Sequence, residues 1–384
     1  MKKWVVLLII GLFLFSSIQT SPKGEEKKEE VRGVFVSYIE LRKYIRNHSE
    51  EEAQKNIDQM IQNIKKMKLN MIVLQVRSHS DAIYPSKTFP TSMHIVKKEG
   101  DSSFDVLDYF LKKAHENHIL VYAWMNPYRV RGNEDISSIS EKSPAYSYIG
   151  TDTLYVKNGI YWNPSKKEVR NLIVEGVKEI LEYPVDAILF DDYFYPSNDV
   201  DIKDYEEYLK NHEEISLEEY HFQVINDLIK SVYQECHKKK VLFGVSPDGN
   251  IENNYLKHFA DVKRWVQEKD YVDFIMPQIY YGFYNSTKAF SNVIHEWEEM
   301  IQKDDISLYI ALAFYKVGME DPYAKEGRDE WILRDDIMMR EVLLSRNLKR
   351  YQGFSFFRYD SLFDEGMYTS NHIGEMNHLK KVLN

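Results

Sequence analysis

The chain has 384 residues, of which 43% are hydrophobic, so it is long enough to bury a large core as one barrel or as two smaller domains. Its formal net charge of −10 argues against nucleic acid as the main partner, because binding to phosphates requires a basic surface. Cys236 is the single cysteine, so the chain can form neither an internal disulfide nor a cysteine-based metal site.

The N-terminal segment has the pattern of a secretory signal. Two lysines precede the apolar run WVVLLIIGLFLF at 4–15, and a short polar stretch follows it. The apolar run is short for a full membrane crossing, yet no clean cleavage site comes after it, so a membrane tether is the alternative. We assign 1–21 to a signal peptide or an N-terminal membrane anchor and 22–30 to a charged linker. We expect the remainder, 31–384, to lie outside the cytoplasm, secreted or anchored to the outer face of the cytoplasmic membrane.

Eight runs rich in β-branched and aromatic residues follow the linker and alternate with amphipathic segments. Several are almost continuously apolar, as strands are when a parallel sheet is covered on both faces. The runs span 31–38, 71–77, 119–128, 185–193, 240–247, 271–280, 308–317 and 351–359. This alternation predicts a single (β/α)8 TIM barrel, with a doubly wound open sheet as the alternative. The first run lacks the glycine-rich loop of nucleotide-binding sheets, which weakens that alternative.

The segments between the runs carry helix-start signals. A serine followed three positions later by a glutamate has the spacing of a capping box. The pairs are Ser49 and Glu52, Ser165 and Glu168, and Ser216 and Glu219. The longest irregular stretches, 78–104 and 129–163, follow the second and third strands, so in a barrel they lie on the face that carries active sites.

Polar and aromatic side chains collect where the predicted strands end. The fourth run ends in FDDYFYP, which places Asp191 and Asp192 beside Tyr193 and Tyr195. The other strand ends contribute Arg77, Asp81, Trp124, Asn126, Tyr128, Gln278, Tyr280 and Tyr359. Paired carboxylates among rings suit glycoside hydrolysis: one acid protonates the leaving oxygen, and a second carboxylate or an N-acetyl group of the substrate assists.

The two adjacent aspartates cannot both face the barrel mouth in a regular strand, because neighbouring side chains point to opposite sides. One is expected to face the mouth, while the other caps the following loop, pairs with an arginine or lies where the alternation fails. Asp191, Asp192 and Asp81 could hold Ca²⁺ or Mg²⁺ through oxygen ligands. No HExxH or similar metal motif and no GxSxG elbow is present in the sequence, and we expect neither a metal nor a cofactor.

The motifs VRGVFVS, VRSHSDAIYPS, AWMNPYRV, VDAILFDDYFYP, VDFIMPQIYY and GFSFFRY occur in this order. Together they closely resemble the glycosyl-hydrolase-like family 10 domain, over roughly residues 31 to 365. The resemblance implies a (β/α)8 barrel, a bacterial envelope protein and a glycosidase, and at least one relative acts on peptidoglycan glycan strands stripped of stem peptides. It also implies that Asp191 and Asp192 are the family's acidic pair, and that the other strand-end motifs match at Arg77, Asp81, Asn126, Tyr128, Gln278 and Tyr280.

The sequence departs from the family pattern near the expected site. Ser78, His79 and Ser80 stand where the family usually has proline and glycine, and Leu189 stands where it tends to have histidine. A polar residue at position 189 should face the barrel mouth, so Asp191, two positions later, should face it as well.

We therefore expect a glycoside hydrolase that acts on an amino-sugar polymer, with peptidoglycan glycan strands as the substrate. Asp191 is the expected nucleophile or stabiliser of the oxocarbenium-like state, and Asp192 is the candidate acid or an orienting group. The polar residues expected to hold the sugar are Arg77, Asp81, Asn126 and Gln278, and the stacking walls are Trp124, Tyr128, Tyr193, Tyr195, Tyr280 and Tyr359. The alternative is a non-catalytic cell-surface glycan-binding protein on the same barrel. The sequence leaves the oligomeric state open.

Overall fold

The computed structural model describes residues 29–101 and 103–384. The predicted signal or anchor at 1–21, and all but the end of the predicted linker at 22–30, lie outside the described residues. Within the described part of the chain, no helix combines the length and the hydropathy that a membrane crossing requires.

The strands form a closed eight-stranded barrel and a small separate sheet. In chain order they are β1 Val31–Val36, β2 Met71–Arg77, β3 Leu120–Met125, β4 Arg129–Arg131, β5 Leu154–Val156, β6 Ile160–Trp162, β7 Ala187–Phe190, β8 Leu242–Val245, β9 Phe274–Ile275, β10 Ser307–Leu312 and β11 Tyr351–Phe356. The barrel strands pair in parallel in the order β1, β2, β3, β7, β8, β9, β10 and β11, and β11 returns to β1. The predicted (β/α)8 TIM barrel is therefore confirmed, and its closure excludes the open sheet.

Helices connect the barrel strands and cover the outside of the barrel. In the described residues they are α1 Tyr38–Tyr44, α2 Glu50–Lys66, α3 Val106–Glu116, α4 Lys167–Ile180, α5 Ile202–Leu209, α6 Leu217–Lys238, α7 Ile251–Leu256, α8 Val262–Gln267, α9 Phe290–Met300, α10 Glu330–Leu333, α11 Ile337–Ser345, α12 Tyr359–Phe363 and α13 Ser370–Leu383. The longer helices bury one apolar face, as Ile57 and Ile61 of α2 and Val169 and Ile173 of α4 illustrate.

The predicted helix starts are confirmed in two of the three cases. Ser49 and Glu52 form a complete capping box at α2, and the Ser216 hydroxyl accepts a hydrogen bond from the backbone of Glu219 at α6. The prediction for Ser165 is wrong, because α4 starts after Lys166 without a side-chain cap. The Ser165 hydroxyl instead donates to Asp201, a buried carboxylate that attracts nearby donors.

The long segment after β3 has structure that the sequence did not reveal. Strands β4, β6 and β5 form an antiparallel three-stranded sheet within the stretch predicted to be irregular. Trp162 of β6 is buried, and its indole N–H donates to the hydroxyl of Ser80 over 2.7 Å. This contact fixes the small sheet to the loop that follows β2, so both long loops sit together above the barrel.

Two apolar layers hold the barrel together. The larger lies between strands and helices, and the smaller fills the interior with side chains such as Phe35, Tyr122, Leu189, Phe274 and Tyr309. The interior is thus a packed core rather than a channel, so a ligand has to bind at an end of the barrel.

A substitution at Gly353 tests whether the barrel closes by close packing of β1 against β11. A Cβ at this position would sit 1.9 Å from the carbonyl oxygen of Val31, its partner residue across the strand pair. We expect Gly353→Ala to lower the free energy of unfolding by about 2–3 kcal/mol, because the backbone must move to admit the methyl group. Urea unfolding measures the change. Gly132→Ala is the matched control, since the nearest atom to its Cβ would be 3.7 Å away. Equal stability of the two variants would contradict this account.

Candidate active site

A cavity of about 170 Å³ lies at the C-terminal ends of the barrel strands. It is lined by Phe35, Ser37, Tyr38, Ile39, Gln75, Trp124, Arg129, Asp191, Asp192, Tyr193, Ser246, Gln278, Tyr280 and Phe357. These residues come from strand ends that are distant in the sequence and adjacent in the barrel. Six of them are among the predicted site residues, namely Trp124, Asp191, Asp192, Tyr193, Gln278 and Tyr280.

Asp191 lies at the base of this cavity with its two carboxylate oxygens in different surroundings. Oδ2 accepts hydrogen bonds from the indole N–H of Trp124, at 3.0 Å, and from the side-chain amide of Asn126, at 3.3 Å. Oδ1 is buried and has no hydrogen-bond partner among the described residues. The carboxylate is thus held from one side, and its other oxygen is left for a proton or a ligand.

The surroundings of Asp191 favour its protonated form. Burial raises the pKa of Asp191 to about 7, and the negative charge of Asp192 adds to the effect. The guanidinium of Arg129 and the hydrogen bond from Trp124 act in the opposite direction. Near neutral pH this carboxyl group can therefore take up or release a proton.

Asp192 lines the same cavity, although it directly follows Asp191. Strand β7 ends at Phe190, so the alternation of side chains no longer applies to the pair. The Gln278 amide donates to Asp192 Oδ1 over 3.1 Å, and His258 Nε2 lies 4.0 Å from Oδ2. Burial raises the pKa of Asp192 as well, while His258 and Gln278 lower it. Because the charge of Asp192 affects the protonation of Asp191, the two carboxyl groups titrate as a pair rather than independently.

Aromatic rings form the walls of the cavity. Trp124 belongs to the packed barrel interior, and Tyr280 and Phe357 pack against that interior from above. Tyr193 is 46% exposed, so its ring is available at the mouth, and the Arg129 guanidinium lies 4.4 Å from the ring centre. Such walls suit the apolar faces of a sugar ring.

Asn126 contacts Asp191 without lining the cavity, and five other predicted residues lie elsewhere. Arg77, Asp81, Tyr128, Tyr195 and Tyr359 are buried and do not line the cavity. Tyr195 donates to Asp201 over 3.0 Å, and the Tyr359 hydroxyl accepts from Asn63 over 2.9 Å. Asp81 accepts from Ser92 over 2.5 Å. Tyr128 packs in the outer apolar layer.

The position of Arg77 has a specific cause in the strand register. Gln75 pairs with Trp124, but Arg77 pairs with Met125, so one extra residue bulges out of β2. The bulge turns Arg77 away from the cavity and towards α4, where its guanidinium lies 3.5 Å from the centre of the Phe89 ring. Gln75 faces the cavity, so without the bulge the side chain of Arg77, two positions later, would face it as well.

Several cavity residues were not among the predicted ones. Gln75 follows the inward-facing Val73 by two positions, so alternation along β2 could have identified it. Phe35 is likewise inward on β1. Arg129 and Phe357 lie beyond the regular barrel strands, where alternation gives no direction.

Two groups of side chains could hold a metal ion. The ligand atoms of His79, Asp81 and His94 lie within 4.8 Å of one another, and so do those of a second group, Asp192, Asp248 and His258. In the first group, the Arg42 guanidinium lies 3.0 Å from His94 Nδ1, and His94 Nε2 lies 3.3 Å from His79 Nδ1. Because arginine can only donate, His94 Nε2 carries the hydrogen in this arrangement and is not free to bind a metal.

The chain is similar in sequence to known glycosyl hydrolases. The family model described as Glycosyl hydrolase-like 10 matches residues 30–329. The chain is 27% identical to glycosyl hydrolase YngK of Bacillus subtilis, over 94% of this chain and 74% of YngK. It is 30% identical to glycosyl hydrolase DigH of Escherichia coli O6:H1, over 81% of this chain and 76% of DigH.

Solved structures of glycosidases share the fold. The glycoside hydrolase domain of PgaB from Bordetella bronchiseptica superposes with a TM-score of 0.58 at 13% identity, over 93% of this chain and 99% of that one. The endo-1,4-beta-mannanase of Rhizomucor miehei gives a TM-score of 0.55 at 11% identity, over 92% of this chain and 94% of that one. At these identities the similarity concerns the barrel alone.

Trp124→Phe tests the electrostatics of Asp191. The substitution removes the indole donor that stabilises the ionised carboxylate, so the pKa of Asp191 should rise by about one unit. Titration of the carboxyl carbon by ¹³C NMR, with the signal assigned by its loss in Asp191→Asn, measures the pKa. Trp331→Phe is the control, because the buried Trp331 indole N–H has no partner among the described residues. An unchanged pKa of Asp191 in Trp124→Phe would mean that the indole N–H does not stabilise the ionised carboxylate.

Proposed function

The chain belongs to the glycosyl hydrolase-like 10 family, and from this we propose that it hydrolyses glycosidic bonds of an amino-sugar polymer, with the glycan strands of peptidoglycan as its substrate. The observation that carries the proposal is the surroundings of Asp191. A carboxyl group with one oxygen held by two donors and the other oxygen bare, at the base of a cavity walled by rings, is equipped to transfer a proton to a bound sugar.

Asp191 acts as the general acid in this proposal. Its Oδ2 already accepts two hydrogen bonds, so a proton has to reside on Oδ1, the oxygen without a partner. The pKa of about 7 keeps a large fraction of the group protonated at neutral pH, and that proton passes to the leaving glycosidic oxygen. The role differs from the sequence-based expectation, in which Asp191 was the nucleophile or stabiliser, because burial favours the neutral form of this residue.

Asp192 supplies the negative charge that the reaction requires. Burial raises the pKa of Asp192, but this residue is less buried than Asp191, and His258 and the Gln278 amide both favour its ionised form. As the bond breaks, positive charge develops on the sugar ring, and a nearby carboxylate stabilises it. The attacking oxygen comes from water or from an acetamido group of the substrate; in the second case water then cleaves the cyclic intermediate, so the sugar carbon ends bonded to the oxygen of water.

The cavity suits one sugar ring of a longer chain. Its volume of about 170 Å³ is below the roughly 300–1,000 Å³ of pockets that enclose drug-sized ligands, so most of a polymer must lie outside it. Trp124, Tyr193 and Tyr280 offer ring faces, and Gln75 and Gln278 offer amides. An amino sugar fits this mixture, because its acetamido group has a methyl for the rings and an amide for the polar groups.

The proposed place of action is outside the cytoplasm. The family resemblance implies an envelope protein, and peptidoglycan lies beyond the membrane. The signal or anchor assigned to 1–21 would deliver the barrel there, either secreted or tethered through 4–15. That segment lies outside the described residues, so its role stays a prediction.

Asp191→Asn tests the assignment of the acid. On peptidoglycan stripped of its peptides, release of reducing ends should fall by about 10²–10⁴-fold, because the leaving alcohol needs a proton. On an aryl glycoside of N-acetylglucosamine with a nitrophenolate leaving group, which needs no proton, activity should stay within roughly tenfold of wild type. Both rates are measured with the same enzyme preparations.

Asp305→Asn is the matched control, because its carboxylate is 73% exposed and lies away from the cavity. It should leave both rates unchanged. Equal losses on the two substrates would contradict an acid role for Asp191. If the wild type binds the glycan but releases no reducing ends, the protein is the non-catalytic glycan-binding protein of the alternative interpretation.

A further inference from the structure

Three side chains with metal-binding atoms meet at one edge of the cavity. Asp192 follows β7, Asp248 follows β8, and His258 follows α7. Strands β7 and β8 pair in parallel, so their C-terminal ends lie side by side. One ligand atom of each residue lies within 4.8 Å of those of the other two. The sequence grouped Asp192 with Asp191 and Asp81 as possible ligands, whereas the fold groups it with these two residues.

Neither lysine nor arginine balances the two carboxylates. Among the described residues, no lysine or arginine forms an ion pair with Asp192 or Asp248 within 4.0 Å. Arg129 lines the same cavity, but its guanidinium attracts Asp191. The nearby base is His258, whose Nε2 lies 4.0 Å from Asp192 Oδ2. This separation is too long for a hydrogen bond, and it matches the span of two bonds of about 2.0–2.2 Å each to a shared ion.

Both carboxylates are already oriented by amide donors. Asp248 Oδ1 accepts from the backbone of Asn250, and Oδ2 accepts from the side chain of Asn253, each over 2.8 Å. Asp192 Oδ1 accepts from the Gln278 amide over 3.1 Å. A carboxylate oxygen can accept twice, so these bonds leave room for a metal. Carboxylates that bind metals are commonly held in this way.

The loop that carries Asp248 is fixed in place. Asn254 is fully buried, and its side chain accepts from the Asp248 N–H over 3.1 Å and donates to the Asp248 carbonyl over 2.8 Å. Asp248 also forms a parallel β-bridge with Gln278. A ligand held this firmly loses little freedom when an ion binds.

The hydroxyl of Ser246 is an unsatisfied group in the same place. It is buried, lines the cavity and has no hydrogen-bond partner among the described residues. The Gln278 amide, which donates to Asp192, also donates to the Ser246 carbonyl over 3.0 Å. Buried hydroxyls are nearly always hydrogen-bonded. An ion with three protein ligands keeps a position for water, and such a water would supply the missing partner.

We propose that Asp192, Asp248 and His258 bind a divalent transition-metal ion of the class of Zn²⁺. One imidazole nitrogen with two carboxylate oxygens favours such ions over Mg²⁺ and Ca²⁺, which prefer oxygen ligands alone. The ion occupies the carboxylate that stabilises positive charge on the sugar, so it inhibits hydrolysis. The inhibition rests on the proposed function, whereas the binding of the metal does not.

A competing explanation is that a protonated His258 only balances the charge of the two aspartates. A histidine with that role repels a divalent cation, whereas a neutral histidine binds it. Direct measurement of metal binding separates the two explanations.

The experiment is isothermal titration of the full chain with ZnCl₂, after treatment with EDTA and dialysis. Wild type should bind one Zn²⁺ at this site. Asp192→Asn, Asp248→Asn and His258→Gln should each raise the Kd by at least about a hundredfold, because each removes a ligand. Asn253→Ala should raise it about tenfold, because it removes only the donor that orients Asp248. MgCl₂ should not compete.

His237→Gln is the matched control for the histidine, because His237 contacts a single carboxylate, Asp273, over 3.0 Å. Asp305→Asn is the control for the aspartates, since its carboxylate is 73% exposed. Both should keep the wild-type Kd. Thermal unfolding of each metal-free variant confirms that the ion meets folded protein.

The rate on peptide-stripped glycan tests whether the ion reaches Asp192. ZnCl₂ at ten times the Kd should lower the release of reducing ends by wild type about tenfold, and EDTA should restore it. The same concentration should leave the rate of Asp248→Asn close to that variant's own rate without metal.

Three results would overturn the inference. Wild type that binds no Zn²⁺ has no such site, and an unchanged Kd in His258→Gln places the ion elsewhere, such as at His79 and His94. Binding without any loss of the wild-type rate shows that Asp192 is not a ligand. If wild type cuts no glycan, the proposed function fails, while the titrations still decide whether the metal site exists.

Discussion

The burial of one carboxyl group at the mouth of the barrel is the constraint on which the site depends. An ionised carboxylate is costly to bury unless donors compensate it, and the two side-chain donors of Asp191 are both on the same oxygen. The group therefore binds a proton at a pH where most aspartates are ionised. The protonation of Asp191 depends on its surroundings. Burial among the aromatic walls and the charge of Asp192 favour the protonated form, and Arg129 opposes it.

The barrel brings these groups together through the pairing of β3 with β7. Trp124 pairs with Leu189 across the two strands, and Met125 pairs with Phe190, so the indole and the residue after β7 meet at the rim. Because the strands are parallel and closed into a ring, residues from positions 35 to 357 line one small space. The packed interior beneath gives this space a rigid floor.

The fold could be predicted from the sequence because apolar runs and amphipathic segments alternate clearly along the chain. The direction of Asp191 was inferred from position 189, where the family resemblance implies a residue that faces the barrel mouth; Leu189 lies in the barrel interior, and Asp191 lines the cavity above it. Alternation failed where the backbone departs from a regular strand: the bulge in β2 turns Arg77 outward, and the end of β7 at Phe190 leaves Asp192 in the cavity. Arg129 reaches the cavity from β4, a strand outside the barrel, so alternation along the barrel strands could not have identified it.

The central claim is that Asp191 donates a proton, and the pH dependence of kcat/KM on peptide-stripped glycan tests it most directly. This parameter reports ionisations of the free enzyme. With the pKa of Asp191 raised to about 7, the protonated fraction falls as the pH rises through that value, so kcat/KM should decline above about pH 7. The decline should approach tenfold per pH unit, on a protein that stays folded throughout. A rate that is constant or that increases across the same range would contradict the account.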